Sequence, residues 1–282
     1  MTKALISPQE LAAMENVVII DTRSPDAYAA GHIPGAVNLH DIFTYLATSD
    51  AAGVAEMTSR FAEEFGAAGL SGAETAVLYE QSMNTGFGQS CRGYFLLSFL
   101  GYDKACVLHG GLEAWTAAGM ALSTETPAPA PAAFPMSEAG AHLLLTKEDV
   151  LAALGDPSVA LLDVRDVDEW IADSSSPYGK DFCPRKGRIP GAKWVEWYRL
   201  MKPSAAGPVI KSGPEVLAEL ATVGITAETP VYLYCFKGAR ASNSFLALRQ
   251  AGVRDVRIYF GSWNEWSRDP SLPIEEGLPY AA

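Results

Sequence analysis

The chain has 282 residues, 49% of them apolar and 19% charged, and its 33 acidic against 21 basic side chains leave a formal net charge of −12. That length suits one large domain or two ordinary ones with sizeable cores. The negative balance argues against non-specific binding to nucleic acid or to an anionic membrane surface, and neither is expected as a partner.

In chain order, the opening residues MTKALISPQEL lack the apolar core of a secretory signal. No apolar run approaches membrane-spanning length, and dispersed cysteines make a reducing cytoplasm the expected location. Ser7-Pro8-Gln9-Glu10 reads as a capped helix start. A β-type run then leads into Asp21-Thr22-Arg23, a short helical segment carrying Tyr28, and Ile33-Pro34-Gly35-Ala36. "AVLYE" reads as a strand and "CRGYFLLSFLGY" as a buried helix, and "KACVLHGGLEAW" closes this half with a strand, a Gly-Gly step and a helix. "STETPAPAPAAFP", Ser123 to Pro135, has the Pro/Ala alternation of a semi-rigid linker.

The second half repeats the first. Thr146 with Asp149 caps a helix, and "VALLDVRDVDEW" and "GRIPGA" repeat the Asp-x-Arg and Ile-Pro-Gly-Ala elements around an insertion, "SSPYGKDFCPRK". "VYLYC" precedes the helical run "SNSFLALRQAG", and "RDVRIYFGSWNEW" matches "KACVLHGGLEAW". The chain is therefore expected to comprise an N-terminal domain over 1–120, a linker over 121–142 and a C-terminal domain over 143–282. Alternation of strands and helices predicts an α/β fold, each domain a mostly parallel sheet flanked by helices. Ligands of such sheets bind beyond the carboxyl ends of the strands.

The four cysteines, Cys91, Cys106, Cys183 and Cys235, are dispersed without paired or metal-ligand spacing. No disulfide framework, metal site or cofactor is expected. Cys91 and Cys106 read as packing residues. Cys183 lies in the insertion with Arg185, Lys186 and Arg188 close behind, which leaves a redox or resolving role open beside that of an incidental surface residue.

Cys235 is different. It ends a strand and opens the loop Cys-Phe-Lys-Gly-Ala-Arg (235–240) ahead of a helix. Unpaired N–H groups at a helix start, here those of Phe236, Gly238 and Ala239, form a cradle for negative charge. Gly238 admits the backbone angles that a tight cradle needs. Lys237 and Arg240 add positive charge, and the setting favours a thiolate nucleophile that needs no general base. Arg240 suits two roles, an anion contact or an ion pair with Asp163 or Glu169.

With these residues in view, the chain resembles the two-domain (tandem) rhodanese, or thiosulfate sulfurtransferase, family over nearly its whole length. Tyr28 to Leu39 fits the family's N-terminal signature. Val256 to Trp266 fits its C-terminal signature except at Phe260, where a small residue, an acidic residue or proline is usual. The resemblance implies two tandem rhodanese-like domains, with the active cysteine, Cys235, in the second. It implies that the thiolate takes the outer sulfur of thiosulfate as a persulfide and passes it to cyanide or a thiol. Mercaptopyruvate sulfurtransferases have small neutral residues in this loop, so the dicationic loop favours thiosulfate. A 3-mercaptopyruvate donor, or a persulfide carrier serving a protein acceptor, are the alternatives. Arg165 and Arg188 are further candidate substrate contacts. Glu169 stands where mitochondrial-type enzymes carry a substrate-binding arginine. Four residues separate Cys235 from Arg240, a shorter loop than dual-specificity phosphatases on this fold use to wrap a phosphate. In the first half, Glu80 falls where Cys235 stands in the second, and an acid there repels anions. The first domain is expected to be catalytically silent.

Overall fold

The computed structural model describes residues 3–279. The chain divides into two compact units, and neither is contiguous in sequence. The first comprises the chain up to Tyr45, Ala55–His142 and Met201–Ile210; the second comprises Leu46–Val54, Leu143–Leu200 and the chain from Lys211.

The first unit contains β1 (Leu5–Ile6), α1 (Pro8–Ala12), β2 (Val17–Asp21), α2 (Pro25–Ala30), β3 (Val37–Asn38), α3 (Asp41–Thr44) and most of α4 (Ala51–Ala67). It continues with β4 (Thr75–Tyr79), α5 (Gln89–Phe99), β5 (Ala105–Leu108) and α6 (Gly111–Ala117). Its five strands pair in parallel in the order β1-β5-β4-β2-β3. The second unit repeats the pattern with β6 (Leu144–Leu145), α7 (Lys147–Ala152), β7 (Ala160–Asp163), α8 (Val167–Trp170) and β8 (Lys193–Trp194). A short antiparallel hairpin follows, β9 (Met201–Lys202) with β10 (Val209–Ile210), and belongs to the first unit. The second unit then resumes with α9 (Gly213–Ala221), β11 (Val231–Tyr234), α10 (Ala239–Gln250), β12 (Val256–Tyr259) and α11 (Ser262–Trp266). Its strands are again parallel, in the order β6-β12-β11-β7-β8.

Both predicted helix caps form. The Ser7 hydroxyl accepts from the Glu10 N–H while the Glu10 carboxylate accepts from the Ser7 N–H, and Thr146 with Asp149 does the same. Each satisfies two donors that a helix start otherwise leaves unpaired. Parallel strands require crossovers, and the helices that supply them cover apolar strands such as β4 and β5, buried along almost their whole length. In the second unit the core gathers Tyr234, Phe236, Tyr259, Trp263 and Trp266, which places the residue after Cys235 inside it. The Pro/Ala segment lies along the first unit. Ala132 donates its N–H to the Gly66 carbonyl at the end of α4, and the Phe134 ring stacks on Tyr102 and packs against Phe65. Among the described residues, no helix is long and apolar enough to cross a membrane.

Candidate active site

The site grows from β11, the central strand of the second sheet. Its last residue, Tyr234, pairs in register with Asp163 of β7, and Cys235 follows as the chain leaves the sheet. The turn to α10 is abrupt because Gly238, the residue before the helix, has φ +89°. Glycine is required there twice over. A side chain is strained at that φ, and a Cβ would lie 2.7 Å from the Phe260 ring. Phe260, the position that departs from the family signature, thus forms the floor beneath the loop.

The loop is clamped from the start of α11. The backbone N–H groups of Trp263 and Asn264 donate to the carbonyls of Cys235 and Phe236 at 3.0 and 2.9 Å. The Ser262 hydroxyl accepts from the Cys235 N–H at 3.2 Å and donates to the Tyr259 carbonyl at 2.8 Å. Ser262 holds φ +54°, unusual for a residue with a side chain. The first unit has glycine at this step, Gly111 at φ +66°, with Leu112 and Glu113 donating to the carbonyls of Glu80 and Gln81. In the sequence, Ser262 is marked only by the Gly-Gly to Gly-Ser difference between the repeats.

At the sulfur, the Gly238 N–H donates to Cys235 Sγ at 3.2 Å. The side chain is only 1% exposed, so negative charge there depends on protein donors rather than water. The Gly238 N–H supplies one such donor, and the sulfur lies just ahead of α10, whose first-turn N–H groups have no acceptor within the helix. Lys237 is 8% exposed, and its ammonium lies 5.2 Å from the centre of the Tyr178 ring. Phe236 is buried, with its ring edge-on to Tyr178 and Phe182 of the insertion.

The structure places the candidate arginines in three settings. Arg240 meets Glu169 in a bidentate pair at 2.6 and 3.1 Å, and Asp166 at 3.0 Å. Burial opposes its charge, but Glu169 and, further down, the Cys235 sulfur and Asp166 outweigh it and raise its pKa well above the ordinary range. Burial raises the Glu169 carboxyl while Arg240 pulls it back, and the fork-to-fork geometry is that of an ion pair. Of the two partners that the sequence offered Arg240, Glu169 is the one used. Arg165 is fully enclosed; it pairs with Asp163 and donates to the Gly187 carbonyl, while its guanidinium covers the Trp263 ring at 4.6 Å. Arg188 pairs with Glu275, donates to the carbonyls of Gly277 and Trp170, and covers the Trp170 ring. Cys235, Phe236, Lys237 and Gly238 therefore form one loop, shorter than the 235–240 expected, because Ala239 and Arg240 already belong to the first turn of α10. The bonds of Arg165 and Arg188 instead tie the Asp-x-Arg turn and the end of the insertion to the frame.

The first unit supplies an internal control. Arg23 pairs with Asp21 and donates to the Gly31 carbonyl, the arrangement of Arg165 with Asp163 and Gly187. Its remaining nitrogen, Nη1, donates to Gln81 Oε1 at 3.1 Å. The counterpart of Gln81 is Phe236, and Arg165 Nη1 has no hydrogen-bond partner. An aromatic anchor for the insertion has replaced a polar partner.

Glu80 occupies the position of Cys235 after β4, and its carboxyl group turns onto the start of α5. It accepts from the Gln89 N–H at 2.9 Å and from the Ser90 hydroxyl at 3.1 Å. The cradle of this unit is thus filled by the chain's own carboxyl. Burial pushes that carboxyl up to about 8, against the pull of the Ser90 hydroxyl and the surrounding N–H groups. The folded protein therefore keeps a proton that the unfolded chain releases at an ordinary carboxyl pKa. Between that value and about pH 8, stability falls as pH rises. Glu80→Gln removes this slope, with its amide oxygen facing Gln89 and its NH₂ facing Ser90. Unfolding midpoints at about pH 5 and about pH 8.5 are expected to show the variant gaining on wild type only at the higher pH. An equal change at both would mean that Glu80 does not titrate there.

The other cysteines are enclosed, and Cys183 is not at the surface as the sequence suggests but packed into the core of the second unit. Cys91 sits in α5 and Cys106 in β5, where burial pushes its thiol up to about 12. Cys183 donates its N–H to Ser175 Oγ, lies near Arg268 Nη2 at 3.8 Å, and burial raises its thiol too. Trp263 and Trp266 are fully buried core residues.

The model for the "Rhodanese-like domain" matches residues 7–118 and 146–269. The chain is 31% identical to a thiosulfate sulfurtransferase of Pseudomonas aeruginosa and 30% identical to one of Azotobacter vinelandii, in each case over 96% of both chains. It is 29% identical to a probable 3-mercaptopyruvate sulfurtransferase of Pseudomonas aeruginosa, over 97% of this chain and 98% of that one.

Proposed function

The chain belongs to the rhodanese-like family of sulfurtransferases, and from that premise we propose that it moves the sulfane sulfur of thiosulfate to cyanide or another thiophilic acceptor through a persulfide on Cys235. One observation carries the reading: the sulfur receives the Gly238 N–H at 3.2 Å at the start of a twelve-residue helix, with the Lys237 side chain in the same loop. The Cys235 thiolate attacks the outer sulfur of thiosulfate. A bond forms between Sγ and that sulfur as the S–S bond of thiosulfate breaks, and sulfite leaves with the electron pair. Cyanide then attacks the terminal sulfur through carbon, regenerating the thiolate and releasing thiocyanate. Donor, persulfide and leaving group are all anionic, so the N–H cradle acts at each stage, while Lys237 acts chiefly on the incoming donor. The first unit takes no part in this chemistry, since Glu80 both replaces the nucleophile and fills the cradle.

The donor is the finer point. A dianion gains more from a buried ammonium than a monoanionic keto acid does, which favours thiosulfate over 3-mercaptopyruvate. Lys237→Ala is expected to raise KM for thiosulfate about ten-fold while changing the cyanide step by about two-fold or less. Steady-state kinetics with both donors check this. A higher kcat/KM for 3-mercaptopyruvate in the unaltered protein overturns the donor assignment, and an unchanged KM in the variant removes Lys237 from the site.

A further inference from the structure

The insertion between α8 and β8 has no equivalent in the first unit, and the sulfur-transfer steps themselves make no use of it. Its backbone is tightly held. Ser174, Ser175 and Ser176 are buried; Ser174 Oγ donates to the Ser176 carbonyl, and Ser175 Oγ accepts from the Cys183 N–H. The Tyr178 N–H donates to Ser176 Oγ at 2.8 Å. The two aromatic residues that this frame presents are half exposed, Tyr178 at 50% and Phe182 at 48%. Both nonetheless pack on the catalytic loop, with their ring centres 5.4 and 5.8 Å from that of Phe236. On the face of Tyr178, at 5.2 Å, lies the ammonium of Lys237.

We infer that Tyr178 is a positioning residue for the sulfur donor: its ring holds the Lys237 ammonium at the catalytic loop, where the donor's negative charge arrives. This rests on the reading of Lys237 as a donor contact. A lysine stem has four rotatable carbons and loses much freedom when its head is fixed. A ring face within about 6 Å attracts a cation through its quadrupole without cancelling the formal charge. The lysine is thus ordered before the donor binds, and that ordering is no longer charged against binding. The insertion thereby becomes a determinant of donor affinity, and Phe236 is the anchor that keeps it in place.

The expected signature lies in KM. Tyr178→Phe keeps the ring face and is expected to stay within about two-fold of wild type. Tyr178→Leu keeps apolar cover over Phe236 but removes the face, and is expected to raise KM for thiosulfate about three- to ten-fold with kcat within about two-fold. In the pair Lys237→Ala/Tyr178→Leu, KM is expected to match that of Lys237→Ala alone, because the ring acts only through the lysine. A wild-type KM in Tyr178→Leu overturns the inference, as do effects that add in the double variant. If Lys237→Ala by itself leaves KM unchanged, the reading of Lys237 fails and the inference fails with it, an outcome visible in that single variant.

Discussion

Cys235→Ser is expected to abolish sulfur loading. After treatment with thiosulfate, the intact mass of the unaltered protein rises by one sulfur atom and that of the variant does not. Turnover with cyanide is expected to fall by at least about a thousand-fold, as for loss of other covalent nucleophiles. The substitution is chosen to spare the fold. A serine hydroxyl fits the space, can accept the Gly238 N–H that now meets the sulfur, and leaves the Trp263 and Ser262 clamps untouched. What it lacks is the chemistry: a hydroxyl ionises far less readily than a thiol and is a poor nucleophile toward divalent sulfur. The remaining thiols give the experiment a sharp alternative. Cys91, Cys106 and Cys183 are all buried, and burial raises the thiols of Cys106 and Cys183. A variant that still gained sulfur would show that one of them, and not Cys235, carries it.

Arg240→Met is expected to cost about 3–5 kcal/mol of stability, the scale for removing one partner of a buried ion pair. The loss arises from what is left behind. Glu169 is fully buried, and its carboxylate would remain without the guanidinium that meets both its oxygens. Arg240 stands in the first turn of α10 and Glu169 in α8, so the pair ties the helix that supplies the cradle to the turn after β7. Replacing both residues, Arg240→Met with Glu169→Met, is expected to recover much of the loss, since it removes the stranded charge as well. Denaturant unfolding of the three variants checks this. A single variant within about 1 kcal/mol of wild type would mean that the pair is not an anchor. Arg240 would then be available to a substrate.

Particular residues show where reading along the chain succeeds. The repeated Asp-x-Arg and Ile-Pro-Gly-Ala elements, the two helix caps and the apolar runs are all local patterns, and each forms as its spacing requires. The parallel sheets follow because strands separated by helices cannot pair as hairpins. The counterpart of Cys235 was legible too: Tyr79 and Tyr234 occupy equivalent register positions, so Glu80 follows β4 as Cys235 follows β11.

Partners distant in sequence were a different matter. Nothing near Arg240 tells whether its guanidinium faces a substrate or Glu169, 71 positions away. Arg188 replaces a histidine in the repeat, yet its bonds run to Glu275 and Gly277 near the far end of the chain. Ser262 reaches the Cys235 backbone, and Tyr178 reaches Lys237, only once strands and insertion have folded over one another. The linear chain by itself determined the repeat, the α/β architecture, the position of the thiol and the glycine loop, because these depend on period and local backbone geometry. The tertiary structure alone decided which cations are neutralised and which ring faces the lysine. It also decided that the first unit's cradle is filled by its own carboxyl. Charge pairing depends on distances across the fold, and those exist only after the core has packed.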